Sequence, residues 1–309
     1  MPRSVAALRP FVWGVVASIL VAITIGSALV VFGRDSGPEP PFLAPGRHAR
    51  PHRPSPRPPG EIWLAGSGSN LPLIRELVAA FQASHPAARI VVHPSIGSGG
   101  GARATRDGAV DLGLVSRALS PAERGGDLVV IPYARSAVVV AASPGVADTD
   151  LRSRDLVAIY DGARMRWRDG ARILVLQREQ GDSGHQAVSR RVPGFAEVNE
   201  RAWRESRWRV LYSDRAMQEA LLAADDAIGL FDLAAITVER LPLRVLQIDG
   251  VAPSPETVAS GAYPFVKDLA FVSRGAPHGL AAAFVAFVRS EQGRAVTRGA
   301  ACLPLPEAP

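Results

Sequence analysis

From Glu61 onward, strand-like and helix-like segments alternate, and glycine, serine and asparagine gather at the corners between them. Such alternation builds a parallel-rich α/β fold, because each helix carries the chain back to begin the next strand beside the last. "EIWLA" reads as a strand and "GSGSN" as a loop. Ile74, Leu77, Val78 and Phe81 then recur at the spacing of an amphipathic helix. "ARIVVH" and "DLGLV" read as the next two strands, separated by "SIGSGGGARA" and a short helix ending near Gly108. "SPAE" predicts a further helix, with Ser120 as N-cap, Pro121 at the first helical position and Glu123 closing a capping box. "DLVVIPYARSAVVVAAS" contains Pro132, which a central strand would not tolerate, so it reads as two strands with a crossing between two lobes. The middle of the chain predicts a helix near 153–160, the strand "RILVLQ", and helices from Gly184 and near 196–204. A helix carrying Ala216, Glu219, Ala220 and Leu221 and the strand "AIGLF" follow. "LPLRVLQI" is expected to cross back, and "AAAFVAFVRSEQG" to form a C-terminal helix on the first lobe.

A chain of 309 residues can hold two modest domains, and 47% hydrophobic with 21% charged residues suits a globular protein. Cys302 is the one cysteine, which excludes an internal disulfide and a multi-cysteine metal site; it reads as a buried spectator thiol. From Phe11 to Gly33 there is no charged residue. At about 1.5 Å per residue, a helix of that length crosses a hydrocarbon core of about 30 Å. Arg3 and Arg9 precede it, so residues 1–10 are expected in the cytoplasm and residues 11–33 as a single-pass anchor in a bacterial inner membrane, with everything after them on the periplasmic side. A cleaved signal peptide is the alternative, although the apolar run is long for one and no A-x-A site ends it. Residues 34–60 are rich in proline and arginine, the composition of a semi-rigid extended stalk. Arg34, Arg47, Arg50, Arg53 and Arg57 there supply much of the net charge of +6. No basic stripe with interleaved aromatics accompanies them, so nucleic acid is not expected as a partner.

Three corners share one chemistry. "GSGSN" (66–70), "IGSGGG" (96–101) and "REQGDSGH" (178–185) each follow a strand and open a helix. Backbone N–H groups at a helix start have no intrahelical partner, and the helix dipole places positive charge there. Glycine admits close approach to that backbone, and hydroxyl and amide side chains add donors. Three such ends aimed at one point would hold an oxyanion, with Arg117 and Arg178 adding charge. Other readings fare less well. Gly97 to Ala102 satisfies G-x-G-x-x-A, but a dinucleotide site needs an acidic residue about 20 positions on, where the chain offers Ser116 and Arg117. "GDSG" (181–184) resembles the nucleophile motif of serine proteases, yet none of the six histidines sits in the setting of that family's base. No H-x-x-x-H or H-E-x-x-H pattern suggests a metal.

In their order, "GSGSNLP", "IGSGGG", "DLGLVSRALSPAE", "REQGDSGH", "AIGLF" and "IDGVAPSPETVASGAYPFVKDLAFV" resemble the phosphate-specific periplasmic binding proteins of ABC transporters, in a variant with a serine-arginine pair. The resemblance runs from about Glu61 to the C-terminal helix. It implies the type II periplasmic binding protein fold: two α/β lobes joined by two crossing segments, here behind an N-terminal transmembrane helix. Residues 61–132 and 245–309 are expected to form lobe 1 and residues 133–244 lobe 2. The resemblance further implies ligand contacts from Asn70, Leu71, Ser98 and Arg117 on one side, and from Arg178, Ser183, Gly184 and His185 on the other. Arg117 stands where well-known phosphate binders carry an aspartate that accepts a hydrogen bond from protonated phosphate, and arginine has no acceptor to replace it. The expectation is a monomeric, non-enzymatic receptor for phosphate or a similar tetrahedral oxyanion, with no cofactor and no metal, working with an ABC permease. A tethered oxyanion sensor or scaffold is the alternative, and a hydrolase using the serine of "GDSG" the third.

Overall fold

The computed structural model describes Pro58 and residues 60–306, all within a compact unit that begins at Arg53. The expected anchor at 11–33 and nearly all of the stalk at 34–60 lie outside the described residues. Among the described residues no helix is long and apolar enough to cross a membrane.

The chain opens with β1 (Glu61–Gly66), α1 (Leu71–Ser84), β2 (Arg89–Val92), α2 (Gly97–Arg106), β3 (Leu112–Val115) and the long β4 (Leu128–Ala142). Then come β5 (Asp150–Leu151), α3 (Ser153–Tyr160), β6 (Leu174–Arg178), α4 (Ser183–Ser189), α5 (Phe195–Arg204), β7 (Arg209–Leu211) and α6 (Asp214–Ala223). They lead into β8 (Ala227–Asp232), α7 (Leu233–Val238), β9 (Arg244–Ile248) and α8 (Pro255–Ala259). The chain closes with β10 (Val266–Arg274), α9 (Gly279–Arg289), α10 (Glu291–Gly299) and β11 (Leu303–Pro304). The main strand order is β2-β1-β3-β10-β4-β8-β6-β7. Within it β1 runs parallel to β2 and β3, and β6 parallel to β7 and β8, as the alternation requires.

Two hydrophobic cores sit on either side of β4. The first gathers Leu73, Ile74, Leu77, Val78 and Phe81 from one face of α1. The Phe81 ring meets Phe284 and Phe287 of α9 at 5.5 and 5.4 Å, each such ring worth roughly 1.5–3 kcal/mol when buried. The second collects Val138 to Ala142, Tyr160, Phe195, Met217 and Ile228. β4 serves both: its residues up to Ala137 pair with β10, and Val138 to Ala142 pair with β8.

Four expectations are corrected. Pro132 does not divide β4. Ala270 of β10 pairs with Pro132 and Leu269 with Ala134, so Tyr133 is an extra residue and the missing proline N–H falls at an irregularity in the ladder. "LPLRVLQI" is not the return crossing, because β9 pairs with Val140–Ala142 and with β5. Leu246, Ile248, Val258, Tyr263 and Phe265 therefore pack in the second core, while Tyr133 and Ala134 pack in the first, and the changeover falls at Ala137 and Val266 rather than at 132 and 245. "SPAE" makes a single turn, ended by Gly125 and Gly126, although Ser120 N–H does donate to Glu123 at 2.8 Å. The C-terminal helix is two helices, broken at Ser290, whose hydroxyl accepts from Gly293 N–H at 3.2 Å to cap the second.

Candidate functional site

The carboxyl ends of β1, β3 and β6 open onto one cleft of about 430 Å³, where α/β sheets commonly hold ligands. One wall carries Ser67 to Ser69, Ser95 to Gly100, Arg103, Arg117 and Glu123; the other carries Arg178 to Ser183, Tyr212 and Asp214.

The first wall is glycine-built. Gly97 takes φ +71°, which an L side chain rarely adopts, and starts α2 within what reads as a loop in sequence. A methyl on Gly101 would stand 2.9 Å from the Gly66 Cα and the Leu114 carbonyl, so α2 can lie this close to β1 and β3 only without a side chain there. That contact brings the first turn of α2 and the Ser98 hydroxyl to the cleft, where Ser98 Oγ accepts from Ser116 N–H at 3.2 Å. Arg117 extends alongside and forms a two-pronged pair with Glu123, both bonds 2.7 Å. The hydrogen bond to Glu123 raises the Arg117 pKa, and the same bond draws the Glu123 carboxyl down to about 2.

The second wall is more heavily charged. Arg178, at the end of β6, is 7% exposed. Its Nε donates to Glu179 at 2.8 Å and to the Leu211 carbonyl at 3.0 Å, Nη2 to Glu179 at 3.0 Å, and Nη1 to Asp214 at 2.7 Å. Burial opposes its charge, but Asp214, Asp182 and Glu179 outweigh burial and its pKa rises. Asp182 caps α4, accepting from His185 N–H at 3.0 Å. Burial alone would raise the Asp182 pKa; the His185 hydrogen bond and the Arg178 charge hold it well below the usual range.

Hydroxyls join the walls. Ser116 Oγ donates to Ser183 Oγ at 2.9 Å and shares contacts of 2.8 Å with Ser67 Oγ and 3.4 Å with Ser98 Oγ. Below them the Lys267 ammonium lies 2.7 Å from Asp232, 2.7 Å from Ser69 Oγ and 3.4 Å from Ser183 Oγ. Burial raises the Asp232 pKa, against the pull of Lys267.

Of the residues expected from sequence, Ser98, Arg117, Arg178 and Ser183 line this cleft. Asn70 turns inward: its Nδ2 donates to the Val115 carbonyl at 3.2 Å and its Oδ1 accepts from Tyr133 at 2.6 Å, which ties the loop to β3 and β4. Leu71 and Gly184 are packed in the interior. The His185 ring points into the second core, with Tyr160 at 5.7 Å and Phe195 at 6.2 Å, and its N–H groups face Asp182 instead of the cleft. Ser67 and Ser69 come from the expected corner 66–70, while Ser116, Glu123, Asp214 and Lys267 are polar residues that sequence reasoning missed. One signal was available: Lys267 is the sole lysine among 35 basic residues. Among the described residues no group of three histidine, cysteine or acidic side chains could hold a metal ion.

A polar cleft enclosed by two α/β halves that share their central strands is the architecture of a two-lobed binding protein. The PBP superfamily domain matches residues 52–292, and the chain belongs to that superfamily. It is 25% identical over 239 residues to the phosphate-binding protein PstS of Bacillus subtilis, covering 75% of this chain and 76% of the relative. Its fold is similar to that of a phosphate ABC transporter substrate-binding protein from Clostridium perfringens solved with bound phosphate, with a TM-score of 0.69 at 21% identity over 79% of this chain and 99% of that one. An ABC-type phosphate transport receptor from Vibrio cholerae has a TM-score of 0.55 at 18% identity, over 80% and 100% of the two chains.

Proposed function

We propose that this protein binds phosphate, or a similar tetrahedral oxyanion, in the cleft and serves as the receptor of an ABC-type uptake system. The observation that carries the reading is that Ser98 and Ser183, one from each wall, meet through the buried Ser116 and are flanked by Arg117 and Arg178. Serine hydroxyls and arginine forks are the donors a small oxyanion takes, and here they come from both walls. The PstS relative and the phosphate-bound fold neighbour support the same ligand. Ligand contacts are assigned to Ser98, Arg117, Arg178 and Ser183 and to the amides of Gly97 to Gly99, with Ser116 behind them holding the two serines together. Lobe 1 comprises residues 60–136 and 267–306, lobe 2 residues 137–266, and the ligand holds them closed by bridging both.

The acceptor that arginine cannot supply at position 117 is available nearby: Glu123 and Asp214 both line the cleft. A protonated oxyanion can donate to one of them, and a fully ionised sulfate cannot. A hydrolytic role for Ser183 lacks a base. The His185 ring is turned into the second core, and Lys267 is engaged by Asp232. The uncharged run from Phe11 to Gly33 supports a single-pass inner-membrane tether, with the proline-rich stalk holding the receptor on the periplasmic side.

Calorimetric titration of purified residues 61–309 with phosphate, arsenate, sulfate and molybdate tests this. Phosphate and arsenate are expected to bind with sulfate at least tenfold weaker; absence of heat with all four overturns the reading.

A further inference from the structure

Lys267 stands apart from the other basic residues. It is the one lysine of the chain, it is carried on β10 where that strand passes from one core to the other, and its side chain is 3% exposed, as is that of Asp232. Its contacts span the cleft: Ser69 belongs to the first wall, and Asp232 and Ser183 to the second half.

Hydrogen-bond bookkeeping at Ser183 gives this placement a role. A serine hydroxyl has two lone pairs and one proton. Ser183 Oγ accepts from Ser116 Oγ at 2.9 Å and faces the Lys267 ammonium at 3.4 Å. An ammonium donates and never accepts, so the Ser183 proton cannot turn toward it. Ser116 already directs its own proton at the same oxygen. What Ser183 has left to offer is its proton, and the cleft is where that proton can go. Between two serines alone the hydrogen bond could run either way, and in the reverse sense Ser183 would spend its proton on Ser116. A compact point charge at this place suits the task better than a planar guanidinium fork.

We propose that Lys267 is a positioning residue for the ligand: from the strand that joins the two halves, its ammonium fixes the hydroxyl of Ser183 as a donor to the bound oxyanion. The inference rests on the cleft being the oxyanion site. It assigns to Lys267 an action exerted through Ser183, distinct from direct attraction of the anion.

A double-mutant cycle separates the two, with the full-length protein in detergent, inorganic phosphate as the probe, calorimetry for affinity and circular dichroism for folding. Removing Lys267 alone would strand Asp232, so the variant is Lys267→Met with Asp232→Leu, which replaces the whole pair by apolar side chains. Ser183→Ala is expected to weaken phosphate binding by roughly 10- to 100-fold, the range for a hydrogen bond to a charged group. The paired variant should weaken it similarly, and the combination of all three should be no weaker than the weaker of the two by more than threefold. If the losses multiply, or if the paired variant binds within threefold of the parent while Ser183→Ala is impaired, the positioning role is overturned and the cleft remains the site. If Ser183→Ala and Arg178→Ala both bind phosphate as the parent does, the cleft reading itself falls. Should the paired variant not fold, Lys267→Gln with Asp232→Asn, which leaves no charge unpaired, takes its place in the cycle with the same expected and overturning results.

Discussion

The two walls of the cleft present an arginine each, and they hold it in opposite ways. Arg117 has one acidic partner, Glu123, and keeps 18% of its side chain exposed; Arg178 is 7% exposed and lies among Glu179, Asp182 and Asp214 with the Leu211 carbonyl besides. The first arrangement is a charge held ready at a rim. The second is a charge built into the framework, whose removal would leave three carboxylates to repel one another. A half-buried pair contributes less to stability than a buried charge with several partners, whose breaking is expensive. The same residue type is therefore a lightly tied charge on one side and a part of the framework on the other.

The sharpest way to break this comparison is Arg178→Ala. By the cost of breaking buried pairs it should lose about 3–5 kcal/mol of stability, and phosphate affinity should fall more than 100-fold. Phosphate binding within threefold of the parent, by calorimetry, would remove Arg178 from the site. Arg117→Ala should lose about 1.5–3 kcal/mol of binding, the worth of a hydrogen bond to a charged group, with a drop in melting temperature well below that of Arg178→Ala. A large drop in melting temperature would mean that the two walls are built alike. Gly101→Ala drives a methyl against the backbone of β1 and β3 and should destabilise by about 1–3 kcal/mol, as overpacking does. An unchanged denaturant midpoint would contradict the close approach of α2.

The smallest effect is one of pH. The Glu123 carboxyl, normally near 4.5, is drawn down to about 2 in the folded protein. A depressed carboxyl stabilises the fold fully above its unfolded pKa and loses that contribution as pH falls through the folded one. The melting-temperature gap between the parent and Glu123→Gln should thus be full at pH 5.5 and mostly gone by pH 2. A gap that widens on acidification would refute the pair.

Periodicity made the helices and strands of the α/β alternation legible, since Ile74, Leu77, Val78 and Phe81 have one burial pattern that satisfies them. Pro132 misled because its cost depends on the partner strand: an extra residue at Tyr133 removes the need for its N–H, and no local pattern announces that. "SPAE" carried correct capping chemistry, but a cap cannot make a helix when Gly125 and Gly126 follow within a turn. At the site, Ser98, Arg117, Arg178 and Ser183 could be read because each belongs to a glycine corner or to the end of a strand. Asn70 and His185 had the right neighbours in sequence but the wrong direction in space, drawn inward by Tyr133 and by Asp182. Of the carboxylates that answer the arginines, Glu123, Glu179 and Asp182 lie close in sequence, and only Asp214 is brought to Arg178 by the folded chain.

β4 runs for fifteen residues without a break, and its two ends belong to different cores. At about 3.3 Å per residue it spans close to 50 Å, and its irregularity at Tyr133 falls among residues of the first core rather than at the changeover between the two. Any rocking of one half against the other has to be distributed as small changes of twist along β4 and its neighbour β10. Such a ribbon resists, and it restores its own angle once the load is removed. For the closure proposed above, the torsional stiffness of this pair of strands then counts beside the atoms of the cleft, and a substitution in the middle of β4 is expected to change ligand release without altering a single contact in the cleft.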